Sequence, residues 1–462
     1  MIGYMFWTST AEITNKVVAL ERKLLKIAQQ YASRPSDSWE LTTLDTQIPR
    51  KSIISLKQNV GGGYDDNDDD DDEILTIHSV HVVSKESAST TTSTSTTTTK
   101  TPLVMLHGYM NGGAYFYRNF GGLSNYFQSI YAVDMLGWGL SSRPSFDEVI
   151  ENGTTKSAED FFVESLEAWR SVNNIDRMIL AGHSFGGYMS VAYAERYPTR
   201  VERLILISPV GVPDHQDPNV LRRMESMQSS YRGRAFAGLF QTIFGYMTPG
   251  GILRTLTESR GSTMSRNYIE RRLPEISDVD ESRTVADYLY WNAALPPSGE
   301  SFLQSVLTPL IVLAKEPLLF RIPNLKVKSV TFMYGSTDWM DLSGGMYTKG
   351  LCEKLSEKDY TSSSSSTSST THHIPPKVDV FVVPKAGHLL MLQNPEATNA
   401  CIVHAAGGKV LDEEMPELMK LSKSEEELNE SWIKQTLKLR EGTDDTTLHE
   451  DRIKTALKLN MQ

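Results

Sequence analysis

Residues 178–197 read MILAGHSFGGYMSVAYAERY. Met178 to His183 is the apolar run of a buried strand, and from Phe185 onward the residues suit a helix. Between them stands Ser184, flanked by Gly182, Gly186 and Gly187. Glycines let a strand turn sharply and let the helix pack close, but geometry alone asks for no hydroxyl. Ser184 is therefore either a turn residue or a nucleophile. A Gly-x-Ser-x-Gly pattern is common by chance. Set between a strand and a helix of these lengths, it places the serine at the tip of the turn. There it stands above the C-terminal edge of the sheet and against a helix N-terminus. The nucleophile reading prevails.

The same alternation extends in both directions. LVMLHG, SIYAVDMLGWG, RMILAGH, RLILISPVG, KSVTFMYGSTD and VDVFVVPKAGH read as strands, and SIISL and EILTIHSVHVV precede them. SAEDFFVESLEAWRSVNN reads as an amphipathic helix with Ser157 and Asp160 as a variant capping box, and another helix starts at Pro395. Apolar strands alternating with helices indicate an α/β protein, a mostly parallel sheet covered on both faces. Residues 214–327 interrupt the pattern for too long to be a loop and are expected to form an inserted cap. The expected organisation is an N-terminal amphipathic helix in 1–50, a core in 51–213, the cap in 214–327, the rest of the core in 328–408, and a charged tail in 409–462. Low-complexity inserts fall at 61–73, 87–101 and 361–373, where polar composition cannot offset ordering entropy. They read as loop expansions, in which His372 and His373 are solvated.

Ile13, Val17, Leu20, Leu24 and Ile27 line one face of the first helix, after Tyr4, Phe6 and Trp7. This helix docks on the protein's own core or lies at a lipid surface, and the two readings are compatible. No apolar run reaches the roughly 18 residues of a membrane span, and the start lacks the form of a secretory signal. Cys352 and Cys401 make no disulfide framework, so a reducing, cytoplasmic setting is expected. The net charge is −11, but eight acidic groups lie between Asp65 and Glu73, which leaves −3 elsewhere. No nucleic-acid footprint is visible.

A serine nucleophile needs a base and a group that orients the base. In the chain order Ser, acid, His, the candidates are Asp338 at the end of one strand and His388 at the end of another. Asp341 is the rival acid. Asp134 is expected to order a turn, His183 to pack beside the elbow and His107 to structure its loop. Oxyanion donors are expected from the Phe185 N–H and from Tyr109 or Met110 in LHGYMNGG. No metal or cofactor is called for.

DYLYWNAALPPSGESFLQ, LAKEPLLFRIPNL and MYGSTDWMD, added to these elements, resemble the α/β-hydrolase-domain protein 4 and 5 family, plant relatives included. The resemblance covers roughly residues 10–405 outside the inserts. It implies an α/β-hydrolase fold and lysophospholipase or lysophosphatidic acid acyltransferase chemistry, with acyl-CoA as a co-substrate of the second. It also implies a non-catalytic alternative, a lipase co-activator on lipid droplets. That branch carries Asn at the nucleophile position, where this chain has Ser184. The acyltransferase pattern has Asp five residues after a His, where this chain has Gln393 after His388. An amide cannot replace a carboxylate as base or counter-charge.

Nine arginines and no lysine lie between Leu221 and Arg272, against three glutamates, beside the apolar AFAGLFQTIFGYMTPGGIL. They read either as a charged cap exterior or as contacts to a phospholipid headgroup or acyl-CoA phosphate. The expected function is a serine-dependent lipid carboxyl-ester hydrolase of phospholipid or lysophospholipid, with acyl transfer as a second outcome. It would act peripherally on lipid droplets or intracellular membranes, and protein partners are not legible. A lipase adaptor and an aminopeptidase-like or small-ester hydrolase are the alternatives. Epoxide hydrolase and dehalogenase chemistry need Asp at the elbow tip and are excluded.

Overall fold

In a computed structural model, the described residues are 9–32, 38–53, 73–85, 99–144, 154–214, 217, 220, 222, 249–308, 313–363 and 373–410. Tyr4, Phe6 and Trp7, His372, the apolar cap stretch before Pro249, most of each insert and the tail beyond 410 lie outside them.

Eight strands form one sheet: β1 (Trp39–Pro49), β2 (Ile74–Ser84), β3 (Leu103–Leu106), β4 (Ser129–Val133), β5 (Met178–His183), β6 (Val201–Ile207), β7 (Ser329–Gly335) and β8 (Lys377–Val383). Their order is β1-β2-β4-β3-β5-β6-β7-β8. β2 is antiparallel to both β1 and β4, and every other pair is parallel. The helices are α1 (Thr10–Ala28), α2 (Tyr117–Leu123), α3 (Thr155–Val172), α4 (Phe185–Arg196), α5 (Pro249–Thr255), α6 (Glu258–Arg272), α7 (Val279–Ala294), α8 (Ser343–Ser363), α9 (Leu390–Gln393) and α10 (Pro395–Ala405), with single turns at Leu303–Val306 and Leu318–Arg321.

The period of two along each strand separates two cores. Val104, Leu106, Leu180, Leu204 and Leu206 face α3 and α4. Leu103, Met105, Ile179, Ala181, Ile205 and Ile207 face α1, α2 and α10. The central strands are therefore buried on both sides, as a parallel sheet requires. β5 and α4 lie next to the sheet's middle, and the turn between them opens at its C-terminal edge.

Three expectations shift. The sheet begins upstream of 51: β1 occupies 39–49, while Arg50–Ser52, where SIISL begins, is a 3₁₀ turn. β1 is an edge strand with mostly exposed or half-buried residues, so no apolar run marks it. The capping box of α3 is Thr154 with Ser157, each side chain bonded to the other's backbone N–H at 3.1 Å. Asp160 instead pairs with Lys156 at 2.6 Å and with Arg196. Finally, β7 and β8 end at Gly335 and Val383, so Asp338 and His388 sit in the loops beyond them.

Helix α1 is docked. Ile13, Val17, Leu24, Leu25 and Ala28 are buried, while Leu20 and Ile27 are partly so. Its buried face also carries Glu21, which meets His78 Nε2 at 3.1 Å, and His78 Nδ1 lies 2.6 Å from Asp45. Burial works against charge on His78, but Glu21, Asp134 and Asp45 outweigh it and raise its pKa from 6.5 to about 10. A raised folded-state pKa contributes stability that is present in full below about 6.5 and is lost as the pH rises through about 10. Chemical-denaturation midpoints should therefore fall between pH 7 and 10.5, by an amount worth on the order of a few kcal/mol. In Glu21→Gln that fall should be much shallower, and an equal fall would remove the pair from the account.

Candidate active site

Ser184 is held at φ 55°, ψ −115°, a backbone conformation uncommon for a residue with a Cβ. Its N–H donates to the Ile207 carbonyl at 2.9 Å, and its own carbonyl accepts from Gly187 at 3.0 Å and from Tyr188 and Val210 at 3.3 Å. Two glycines make the turn feasible. A Cβ on Gly182 would stand 2.3 Å from the Gly186 carbonyl oxygen, and one on Gly186 would stand 2.5 Å from that of His107. Neither neighbour is a flexible side chain.

The elbow presents Ser184 Oγ to His388, 3.1 Å from Nε2. On the other side of the ring, His388 Nδ1 lies 3.3 Å from Asp338 Oδ1 but 2.7 Å from the Ser208 hydroxyl. Ser208 in turn donates to Asp338 Oδ2 at 2.6 Å. The shorter route from His388 to Asp338 thus runs through a hydroxyl that the sequence alone did not single out. Ser208 directly follows β6, at the same sheet edge as Ser184 and Asp338, and that position is the signal that could have found it. Like Ser184 it has positive φ, 46°. Burial pushes the Asp338 carboxyl up, but the bond and charge of His388, the Ser208 hydroxyl and the Met340 N–H together hold it below its usual value. Asp338 is ionised at neutral pH.

The rival Asp341 accepts from the Ser343 N–H at 2.9 Å and bears on the start of α8. Asp134 accepts from the N–H groups of Gly113 and of Leu140, the latter at 2.8 Å, and orders the turns around it. His107 accepts from Met135 N–H through Nε2 at 3.1 Å, so its Nδ1–H donates to the Gly108 carbonyl at 2.8 Å. His183 donates from Nε2 to the His388 carbonyl at 2.9 Å. Burial and the neighbouring His388 lower the His183 pKa to about 3, so it stays neutral. Among the described residues one further group, Glu21, His78 and Asp134, brings metal-ligating atoms together. His78 Nε2 already bonds to Glu21, and the Asp134 carboxylate already accepts from backbone N–H groups.

For the oxyanion, Phe185 opens α4, so its N–H has no acceptor within the helix. Asn111 N–H closes a turn onto the Gly108 carbonyl at 3.3 Å, with Tyr109 and Met110 between them and Met110 at φ 60°. Tyr109, Met110, Ser184 and Phe185 all line one cavity of about 710 Å³. Its walls are mainly apolar, from Val210, Leu253, Leu289, Leu303, Leu307 and Leu389, and α6 closes one side.

A model of the alpha/beta hydrolase fold matches residues 101–395. The chain belongs to the α/β-hydrolase family. It is 30% identical over 308 residues to the probable 1-acylglycerol-3-phosphate O-acyltransferase of Oryza sativa subsp. japonica, a match covering 66% of each chain. It is 34% identical over 253 residues to the human 1-acylglycerol-3-phosphate O-acyltransferase ABHD5, covering 54% of this chain and 68% of that one. The carboxylesterase CesB of Bacillus subtilis has a TM-score of 0.46 at 17% identity, over 86% of this chain and 100% of that one. The match thus spans just under two thirds of the rice relative. The two acyltransferases are of the type that the sequence motifs resemble.

Within this α/β-hydrolase, Gln393 is not idle. Its Oε1 accepts from the Gly387 N–H at 2.8 Å, and its Nε2 donates to the Arg272 carbonyl at 3.2 Å. A carboxylate could keep the first bond but has no proton for the second. Of the cap arginines, Arg254 is buried against Glu300 and donates to the Ala293 carbonyl at 3.0 Å, and Arg266 forks onto Asp287 at 3.0 and 3.1 Å. The group is therefore partly structural.

Gly186→Ala should destabilise the protein by about 2–3 kcal/mol, because the added methyl meets backbone that cannot rotate away. The midpoint of urea unfolding checks this, and a midpoint unchanged within error would mean that the turn has slack.

Proposed function

We propose that this protein is a serine-dependent lipid carboxyl-ester hydrolase, acting on phospholipid or lysophospholipid, with transfer of the acyl group to a lysolipid hydroxyl as a second outcome. The observation that carries this reading is the continuous path Ser184, His388, Ser208 and Asp338, opening into a large apolar cavity. The names of the relatives, which specify acyl transfer to a glycerophosphate, support the lipid class.

In the first half-reaction Ser184 Oγ attacks the acyl carbonyl carbon as His388 Nε2 takes its proton. The charge that develops on the carbonyl oxygen falls to the Phe185 N–H and to Tyr109 or Met110. Asp338 balances the imidazolium, and Ser208 passes the hydrogen bond between the two. The tetrahedral intermediate then expels the lipid alkoxide, which receives the proton from His388. In the second half-reaction water, or the hydroxyl of a lysolipid, gives its proton to His388 and attacks the acyl-Ser184 carbonyl. Collapse breaks the bond to Ser184 Oγ, which takes the proton back from His388, and releases a fatty acid in one case and a new ester in the other. Gln393 contributes no carboxylate to either step, so an acceptor lipid would rely on His388 as its base. Acyl-CoA could enter as the acyl donor by the same first half-reaction, with the thiolate of CoA leaving. No described helix is long and apolar enough to cross a membrane, which accords with peripheral action at a lipid-droplet or membrane surface.

Ser184→Ala should lose activity on lysophosphatidic acid by a factor on the order of a million in kcat. Product analysis with labelled substrate checks this: released fatty acid marks hydrolysis, and phosphatidic acid formed with acyl-CoA marks transfer. A mutant that kept most of its turnover would contradict the reading and favour an adaptor. Ser208→Ala should lower kcat about tenfold or more with KM nearly unchanged, the size expected for a lost hydrogen bond to a charged group. A rise in KM at constant kcat would instead place Ser208 in substrate binding.

A further inference from the structure

One face of α6 forms part of the cavity wall. Met264, Asn267, Tyr268 and Arg271 recur at helical spacing, and all four line the space that holds Ser184 and His388. Arg271 is the sole lining residue with a permanent charge among the described residues. It has no carboxylate partner among them, whereas Arg254 and Arg266 do. Its helix is also fixed relative to the chemistry. The carbonyl of the adjoining Arg272 accepts from Gln393, whose other end holds Gly387, the residue before His388. An arginine beside an apolar chamber, tied to the histidine loop, suits an amphiphile whose tail fills the chamber and whose anion meets the guanidinium.

We propose that Arg271 recognises the phosphate of a single-chain lipid phosphate ester and so sets the headgroup preference of the cavity. A phosphate oxygen pair matches the guanidinium fork, and the net charge of −11 gives no general attraction for anions, so the contact must be local. The proposal rests on the esterase reading for which bond is cut, but not for what is bound.

Two measurements separate these claims. In the first, hexadecyl phosphate, which has no carboxyl ester to cleave, is titrated calorimetrically into wild type, Arg271→Gln and Arg271→Lys. Hexadecanol and inorganic phosphate are titrated alongside. Kd for hexadecyl phosphate should rise at least tenfold in Arg271→Gln and recover in part in Arg271→Lys, which keeps the charge without the fork. Inorganic phosphate should bind far more weakly than the alkyl ester. Equal Kd values in wild type and Arg271→Gln would overturn the proposal, and so would inorganic phosphate binding as tightly as the lipid. In the second, the ratio of kcat/KM on 1-oleoyl-lysophosphatidic acid to that on 1-oleoylglycerol should fall at least tenfold in Arg271→Gln. Parallel loss on both substrates, with the ratio kept within twofold, would make Arg271 a structural residue. Wild type that binds hexadecyl phosphate through Arg271 yet cleaves neither lipid would sink the esterase reading and leave the headgroup site standing.

Discussion

The close approach of β5 to α4 across Gly182 and Gly186 is the constraint on which the site depends. With no side chain at either glycine, the helix starts within contact distance of the strand it follows, and the residue between them is driven to φ 55°. That strain persists because the backbone of Ser184 is bonded on both sides, to Ile207 and to the first turn of α4. The result is a hydroxyl fixed above the sheet edge, with its direction set by the main chain.

The neighbouring strands then supply the rest at the same edge. β6 is followed by Ser208, β7 by Asp338 and β8 by His388, so four residues far apart in sequence converge because parallel strands all end on one side. Two of the four have positive φ, and both are serines. Hydrogen bonds to Asp338 offset its burial and keep it ionised, while burial keeps His183 and His107 neutral. Of the three histidines near the elbow, His388 alone has Nε2 directed at Ser184.

Much of this was legible in the residues. The strands from β3 to β8 are apolar runs, and a run buried on both faces needs no partner information to be recognised. Ser184, Asp338 and His388 followed from chain order and strand ends. β1 was not legible, because an edge strand with an exposed face lacks the apolar signal. Ser208 was missed because a serine after a strand is ordinary in sequence and becomes notable only beside a histidine and an aspartate. Gln393 read as a loss of charge, but its amide bonds both ways between Gly387 and Arg272, which only the folded cap reveals. The nine cap arginines looked alike in sequence. Among those described, folding binds Arg254 and Arg266 to carboxylates and sets Arg271 against the cavity.

The most direct measurement of the central claim is peptide mapping by mass spectrometry after treatment with a long-chain alkyl fluorophosphonate. The account requires one phosphonyl adduct per chain, on the peptide containing Ser184, with Ser208 unmodified and no adduct on Ser184→Ala. Folded protein that forms no adduct, or one carried on another serine, would contradict the claim that the elbow exists to present a nucleophile.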